Sequence, residues 1–266
     1  MHTEAVFHFP FESFRDAGEF RDFVQEKQRT LDVRYAYEGA RAAGATGAEQ
    51  SSAEYVSAGS CGLCLRATHF TTAIPAAAVE VPKAGEARPR PEPNWREQQL
   101  CGCSERLSCR LRGLLHFIAA EIQPPGWTRL LLLGAAQAIE PRLQRMVGSV
   151  AVRARSGRLL RVPVFESQAY HLVLSCEHLH AEQDPDRVLR GIRDAVMPGG
   201  HFVFTAPFDA AAQASVPAGA GRPGILGWDI LDRLGRAGFR GAAAHLYWSE
   251  EFGYLGPFNL VFSAAT

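Results

Sequence analysis

The sequence predicts an α/β protein with a mainly parallel sheet and helices on both faces. A small cysteine-rich metal-binding module and an N-terminal helical segment precede it. Three observations carry this. Short, almost wholly apolar runs at 130–133, 170–175 and 201–205 have the look of strands buried on both sides. Helical stretches alternate with them, which implies right-handed βαβ crossovers. Five of the six cysteines fall between Cys61 and Cys109.

Each element follows from its own pattern. Val6, Phe7, Phe9 and Phe11 suggest a short extended piece, and Phe14 to Tyr37 a helix buried through Phe20, Phe23, Val24 and Leu31. Gly39 to Ser60, rich in Ala, Gly and Ser, reads as a linker. Residues 1–56 are thus an N-terminal arm, 57–110 the cysteine-rich module and 111–266 the α/β domain. Within the module, Val79 to Asn94 carries Pro82, Pro89, Pro91 and Pro93 and must be a loop. Leu111, Leu114, Leu115, Ile118 and Ile122 have helical spacing, and Pro124-Pro125-Gly126 stops that helix. Arg129 to Leu133 is the first buried strand, Ile139 to Val147 a helix, and Tyr170 to Ser175 the next buried strand. Asp184 is placed to cap a helix whose first position is Pro185. Val188, Leu189, Ile192 and Val196 form its buried face, and Pro198-Gly199-Gly200 ends it. His201 to Thr205 returns as a strand, Ile225 to Phe239 is a further helix, and Phe258 to Ala264 the last strand.

Composition narrows the function. The 28 Lys+Arg balance 28 Asp+Glu, so the basic excess of a nucleic-acid binder is missing. No run of 18 apolar residues predicts a membrane span, and the N-terminal residues lack the basic-then-apolar pattern of a secretory signal. A cytoplasmic setting is the expectation, and clustered cysteines there read as metal ligands rather than disulfides. Cys61-Gly-Leu-Cys64 supplies one pair of thiolates and Cys101-Gly-Cys103 a second. Four sulfurs at about 2.3 Å would complete a tetrahedral structural zinc site. Cys109 is a possible substitute ligand. Cys176, alone at the end of a buried strand, reads first as a small core residue.

Residues 170–208, YHLVLSCEHLHAEQDPDRVLRGIRDAVMPGGHFVFTAPF, resemble a class I S-adenosylmethionine (SAM)-dependent methyltransferase. The parts that carry the resemblance are Ser175 at a strand end, Glu177-His178, the helix from Val188 to Val196, Pro198-Gly199-Gly200 and the strand from Phe202 to Phe208. GWDILDRLGRAGF (227–239) and YWSEEFGYLG (247–256) resemble the C-terminal part of such enzymes. Trp95-Arg96-Glu97, Cys101, Cys103 and Arg110-Leu-Arg112 resemble a zinc-ribbon-like module that some members carry. The resemblance covers roughly 57–266 and implies a Rossmann-like methyltransferase fold, SAM as cofactor, and O- or N-methyl transfer to a small metabolite.

Carried over residue by residue, it puts SAM over Gly134, Ala135, Ala136 and Gln137, beside Ser175 and Cys176. Glu177, His178 and His180 become candidate catalytic groups, an imidazole there serving as general base. The family's Gly-rich loop keeps one glycine here, and 147–153 has no acid for the ribose hydroxyls. Near the adenine, 161–166 offers only Glu166. The competing expectation is therefore a methyltransferase-like protein with weak or lost SAM binding, used as a binding or assembly partner or for a non-methyl reaction such as cyclisation. Two further sets of residues are weighed. Trp248, Glu250 and Tyr254 could stack an acceptor or simply pack a hairpin. Arg106, Arg110 and Arg112 could touch a phosphate, but a solvated rim of the module is the expected role.

Overall fold

The computed structural model describes residues 8–45, 53–74, 93–103, 105–134, 137–153, 166–219 and 222–266. Val6, Phe7, most of the proline-rich loop and the stretch between 154 and 165 lie outside the described residues. The chain begins with β1 (His8–Phe14), α1 (Ala17–Glu26), α2 (Gln28–Ala45), β2 (Ala53–Cys61) and β3 (Arg66–Ile74). There follow α3 (Trp95–Gln98), β4 (Gln99–Cys101), α4 (Cys109–Phe117), a π-type turn at Ile118–Ile122 and β5 (Arg129–Gly134). Next come α5 (Glu140–Met146), β6 (Ser149–Arg153), β7 (Tyr170–Cys176), α6 (Pro185–Ala195) and β8 (Val196–Thr205). The chain ends with α7 (Asp229–Arg236), β9 (Arg240–Ser249) and β10 (Tyr254–Ala265). It folds into two compact units, each assembled from separate stretches. The first takes 1–10, 24–116 and 247–259, the second 11–23, 117–246 and 260–266.

In the first unit β2, β3 and β4 form an antiparallel sheet. Gly39 to Ser60 is no linker: α2 runs to Ala45 and β2 starts at Ala53. The small residues there serve close packing. A Cβ on Gly59 would sit 2.3 Å from the Glu251 carbonyl and 2.8 Å from the Phe70 ring. The single helix expected over Phe14 to Tyr37 is two helices, α1 and α2. Ala17, Phe20 and Phe23 are buried on α1, whereas α2 buries Leu31 together with the polar Arg34 and Glu38. Glu38 accepts from Trp248 Nε1 (2.6 Å) and the Gly256 amide (3.1 Å), and Arg34 donates to the Gly256 carbonyl. A helix that buries an ion pair leaves no apolar stripe to read.

The second unit is built on the seven-stranded sheet, ordered β1-β9-β10-β8-β7-β5-β6. β6, β5, β7 and β8 are mutually parallel, and β10 runs antiparallel to β8. From β5 the chain crosses outward through α5 to β6, then returns to the other side of β5 as β7 and moves away through α6 to β8. Right-handed crossovers in opposite directions put α5 and α6 on opposite faces. The strand order reverses between β5 and β7, which is where open α/β sheets bind ligands. The core is the apolar runs themselves, with Leu130 to Leu133 at most 1% exposed. Phe202, Phe204 and Phe262 stack at 4.9 and 5.0 Å. Asp184 caps α6 by accepting the Arg187 amide at 3.0 Å.

Two boundaries move. Pro198-Gly199-Gly200 lies inside β8, because α6 already stops at Ala195 and Val196 is extended. The helix expected from Ile225 begins only at Asp229. Backbone donors before it are used elsewhere: Ile225 bonds to the Val216 carbonyl (2.9 Å) and Leu226 to that of Pro207 (3.0 Å).

Candidate functional site

The carboxyl ends of β5, β6 and β7 define the switch-point crevice of the second unit. Leu133 is in register with Ser175 on one side and Arg153 on the other, and Gly134 with Cys176. The sequence thus places Gly134, Ser175 and Cys176 together as expected. Ala135 and Ala136 lie outside the described residues, as does the side chain of Gln137. Ser175 is fully buried and its hydroxyl has no hydrogen-bond partner among the described residues; Cys176 is buried beside it.

Gly134 has a φ of +92°, a conformation that favours glycine, and a Cβ there would lie 2.3 Å from the Cys176 carbonyl oxygen and 3.4 Å from the His178 side chain. The missing Cβ therefore serves an approach by the chain's own backbone. At the neighbouring positions 135 and 136 the sequence puts methyl groups where a cofactor would need bare backbone. The end of β6, opposite Leu133, is Arg153 and not an acid. Glu166 is excluded from an adenine contact, since it lies 3.7 Å from Arg129, the first residue of β5, at the far end of that strand from Gly134. These residues do not fit SAM held in the family's manner.

The candidate catalytic groups separate. Glu177 adopts a left-handed φ of +53° and its amide bonds to the Thr205 carbonyl at 3.0 Å. That kink turns the chain off β7. His178 is buried, with Nδ1 3.5 Å from Glu182. His180 has Nδ1 3.8 Å from Glu177 and lines a cavity of about 170 Å³. Glu182, Asp184, Asp186, Ser215 and Arg233 also line it. Arg233 bonds Asp229 (2.9 Å) and Asp186 (3.3 Å), and the Ser215 amide and hydroxyl both donate to Asp229. Burial opposes ionisation of Asp229, but these donors outweigh it and hold the carboxyl below its usual range. Ligand pockets commonly run from about 300 to 1,000 Å³, so this one suits only a small polar molecule.

In the first unit the Cys61–Leu65 turn joins β2 to β3, and β4 ends at Cys101 on the other side of β3. The sulfurs of Cys61, Cys64 and Cys103 lie within 4.8 Å of one another. Cys101 Sγ accepts the Cys103 amide at 3.4 Å and lies 3.7 Å from Thr68 Oγ1. Cys101 also hydrogen-bonds to Cys61, holding that thiol down at about 4, while Cys101 itself is pushed up. Thiolate character shared across one cluster, with an amide donating to a sulfur, fits a tetrahedral zinc, whose ligand sulfurs stand about 3.8 Å apart. The proposed substitute goes elsewhere: Cys109 Sγ faces the Leu255 carbonyl at 3.9 Å, and burial raises it to about 12.

Trp248 and Tyr254 are buried and packed, so no acceptor can stack on them. The arginines were only half legible. Arg110 pairs with Glu97 at 2.7 Å, as the rim reading expects. Arg112 is not on a rim. It is fully buried, donates to the Phe252 carbonyl (2.5 Å) and Gly253 carbonyl (2.8 Å), and lies 4.3 Å from the Phe70 ring centre.

The strand order, with its parallel core and a reversed strand beside β8, defines the Rossmann-like methyltransferase fold of the class I SAM-dependent enzymes. No family model matches the chain, and no curated protein matches it. Among solved structures, the chain is similar to an S-adenosylmethionine-dependent methyltransferase from Mesorhizobium loti (18% identity, TM-score 0.39), covering 59% of this chain and all of that one. It is also similar to the [4+2]-cyclase SpnF (18%, TM-score 0.37), covering 51% of this chain and 61% of that one. A third similarity is to the complex between the Haloferax volcanii Trm112 methyltransferase activator and the putative methyltransferase (11%, TM-score 0.41; 57% and 87% covered). The fold assignment rests on the strand order. No helix among the described residues is long and apolar enough to cross a membrane.

Proposed function

We propose that this chain is a methyltransferase-fold binding protein that has given up the cofactor side of its crevice and keeps a small-molecule site beyond β7. The observation that carries this is Gly134. Its lack of a Cβ is consumed by the Cys176 carbonyl, so it no longer speaks for a cofactor. The acid that would hold the ribose is replaced by Arg153. Losing charge-assisted hydrogen bonds costs on the order of 1.5–3 kcal/mol each, which turns a micromolar site into one at least about tenfold weaker. Cys61, Cys64, Cys101 and Cys103 would hold one structural zinc, pinning β4 and the β2–β3 turn together and lending the module its binding energy. Titration calorimetry with SAM and its demethylated product, S-adenosylhomocysteine, tests the reading. Dissociation constants far above the micromolar range are expected, and micromolar binding of either would overturn it.

The second reading is a SAM-dependent methyltransferase acting on an oxygen or nitrogen of a small metabolite in the cytoplasm. Ser175 favours it: a fully buried hydroxyl with no partner among the described residues, at the strand end facing the switch point, is an unmet polar group that a ligand could satisfy. In that case His180, beside Glu177 and lining the cavity, is the better placed of the two histidines to take a proton from the acceptor.

A further inference from the structure

Far from the switch point, at the other side of the sheet, β1, β9 and β10 are successive neighbours. They bring one residue each into a row. Ser13 Oγ lies 2.8 Å from His245 Nδ1, and Ser263 Oγ lies 2.8 Å from His245 Nε2. A neutral imidazole has one N–H and one lone pair, so the two contacts are linked. When Nε2–H donates to Ser263, Nδ1 is left to accept the Ser13 proton. The ring has little freedom to turn, because Phe117 packs on it at 4.5 Å, tilted by 38°.

Burial lowers His245 to about 4, so the ring is neutral and its lone pair available at neutral pH. Ser13 is exposed, whereas His245 and Ser263 are partly covered. Among the described residues β1 has a strand neighbour on one side only, so a reagent can approach Ser13 from the open edge. A polar row that merely fixed the register of an edge strand would need neither an exposed hydroxyl nor an imidazole with both nitrogens engaged.

We propose that Ser13 is an activated nucleophile, with His245 as its general base and Ser263 fixing the imidazole tautomer, that accepts an acyl group from an activated ester. Ser13 Oγ bonds to the carbonyl carbon as its proton passes to His245 Nδ1. The bond from that carbon to the leaving oxygen then breaks, and the departing alkoxide takes the proton back from Nδ1. The ring ends neutral, and the acyl group rests on Ser13 as an ester.

The test treats the full chain with a fluorophosphonate probe, which serines of this kind attack with loss of fluoride, and maps the adduct by mass spectrometry. One adduct on Ser13 is expected, absent from Ser13→Ala. Labelling should slow roughly a hundredfold or more in His245→Gln, the usual worth of a positioned base. Ser263→Ala, which leaves the ring in place, should slow labelling as well, and it decides the matter should His245→Gln fail to fold. No adduct on Ser13, or equal labelling rates in wild type and Ser263→Ala, would overturn the proposal.

Discussion

Replacing Gly134 by alanine separates a glycine that serves the chain from one that serves a cofactor. The new Cβ would lie 2.3 Å from the Cys176 carbonyl oxygen, inside any real contact distance, and the backbone φ of +92° is one an L side chain resists. A left-handed conformation costs roughly 1–2 kcal/mol and overpacking about 1–3 kcal/mol, so the sum is about 2–5 kcal/mol. Neither partner yields easily, since Gly134 ends β5, Cys176 ends β7, and the two are paired in register. In a domain of this size each kcal/mol lowers a melting midpoint by about 2–4 °C, so Gly134→Ala should melt roughly 4–20 °C lower. Thermal melts followed by circular dichroism give the stability. Calorimetry with S-adenosylhomocysteine gives the affinity, expected to be poor in both proteins. A variant that melts like the wild type but loses micromolar binding of the nucleoside would refute the reasoning, because the glycine would then be making room for a ligand.

Purified protein should contain about one zinc per chain by elemental analysis. Cys103→Ser should lose it and Cys176→Ser should retain it, and six freely titratable thiols in the metal-free native protein would contradict the site. Arg112→Leu strands two buried carbonyls, at Phe252 and Gly253, and should cost about 2–6 kcal/mol in denaturant unfolding; Arg110→Leu, which loses a partly exposed pair, should cost under about 1 kcal/mol. The His245 imidazole contributes an acid sensitivity. Its folded value of about 4 lies below the ordinary 6.5, so between those values the unfolded chain binds the extra proton. Stability is therefore intact above about pH 6.5 and falls as the pH drops toward 4, by at most about 3 kcal/mol. Stability measured across that window should fall less steeply in His245→Gln, and an unchanged slope would count against a buried neutral ring.

The buried strands could be read from the sequence because apolar runs in a parallel sheet need no context. Leu130 to Leu133, Leu172 to Leu174 and Phe202 to Phe204 carry their own burial in their side chains. The Asp184-Pro185 cap was legible for a similar reason, being a local arrangement of two residues. Gly39 to Ser60 misled because small residues signal either slack or very close packing, and composition cannot tell one from the other. Glu251 and Phe70, distant in sequence, decide the case for Gly59. Ser13, His245 and Ser263 gave no signal at all. They are separated by more than 230 positions at one step, and only the strand order makes them neighbours.

The Arg110-Leu-Arg112 pair shows the limit most sharply. As a string it is a basic pair beside cysteines, and a basic pair reads as a rim. On α4, however, residues two apart point some 200° away from each other, since each step turns the helix by about 100°. One arginine must therefore face away from whatever the other faces. Arg110 meets Glu97, which the preceding Trp95-Arg96-Glu97 turn supplies. Arg112 is then directed inward, where an ammonium would be stranded but a planar guanidinium can satisfy two carbonyls and lie on an aromatic ring at once. The spacing of the two arginines serves a buried clamp on the turn at Phe252 and Gly253, and Arg112→Lys, which keeps the charge but loses the fork, should not rescue Arg112→Leu.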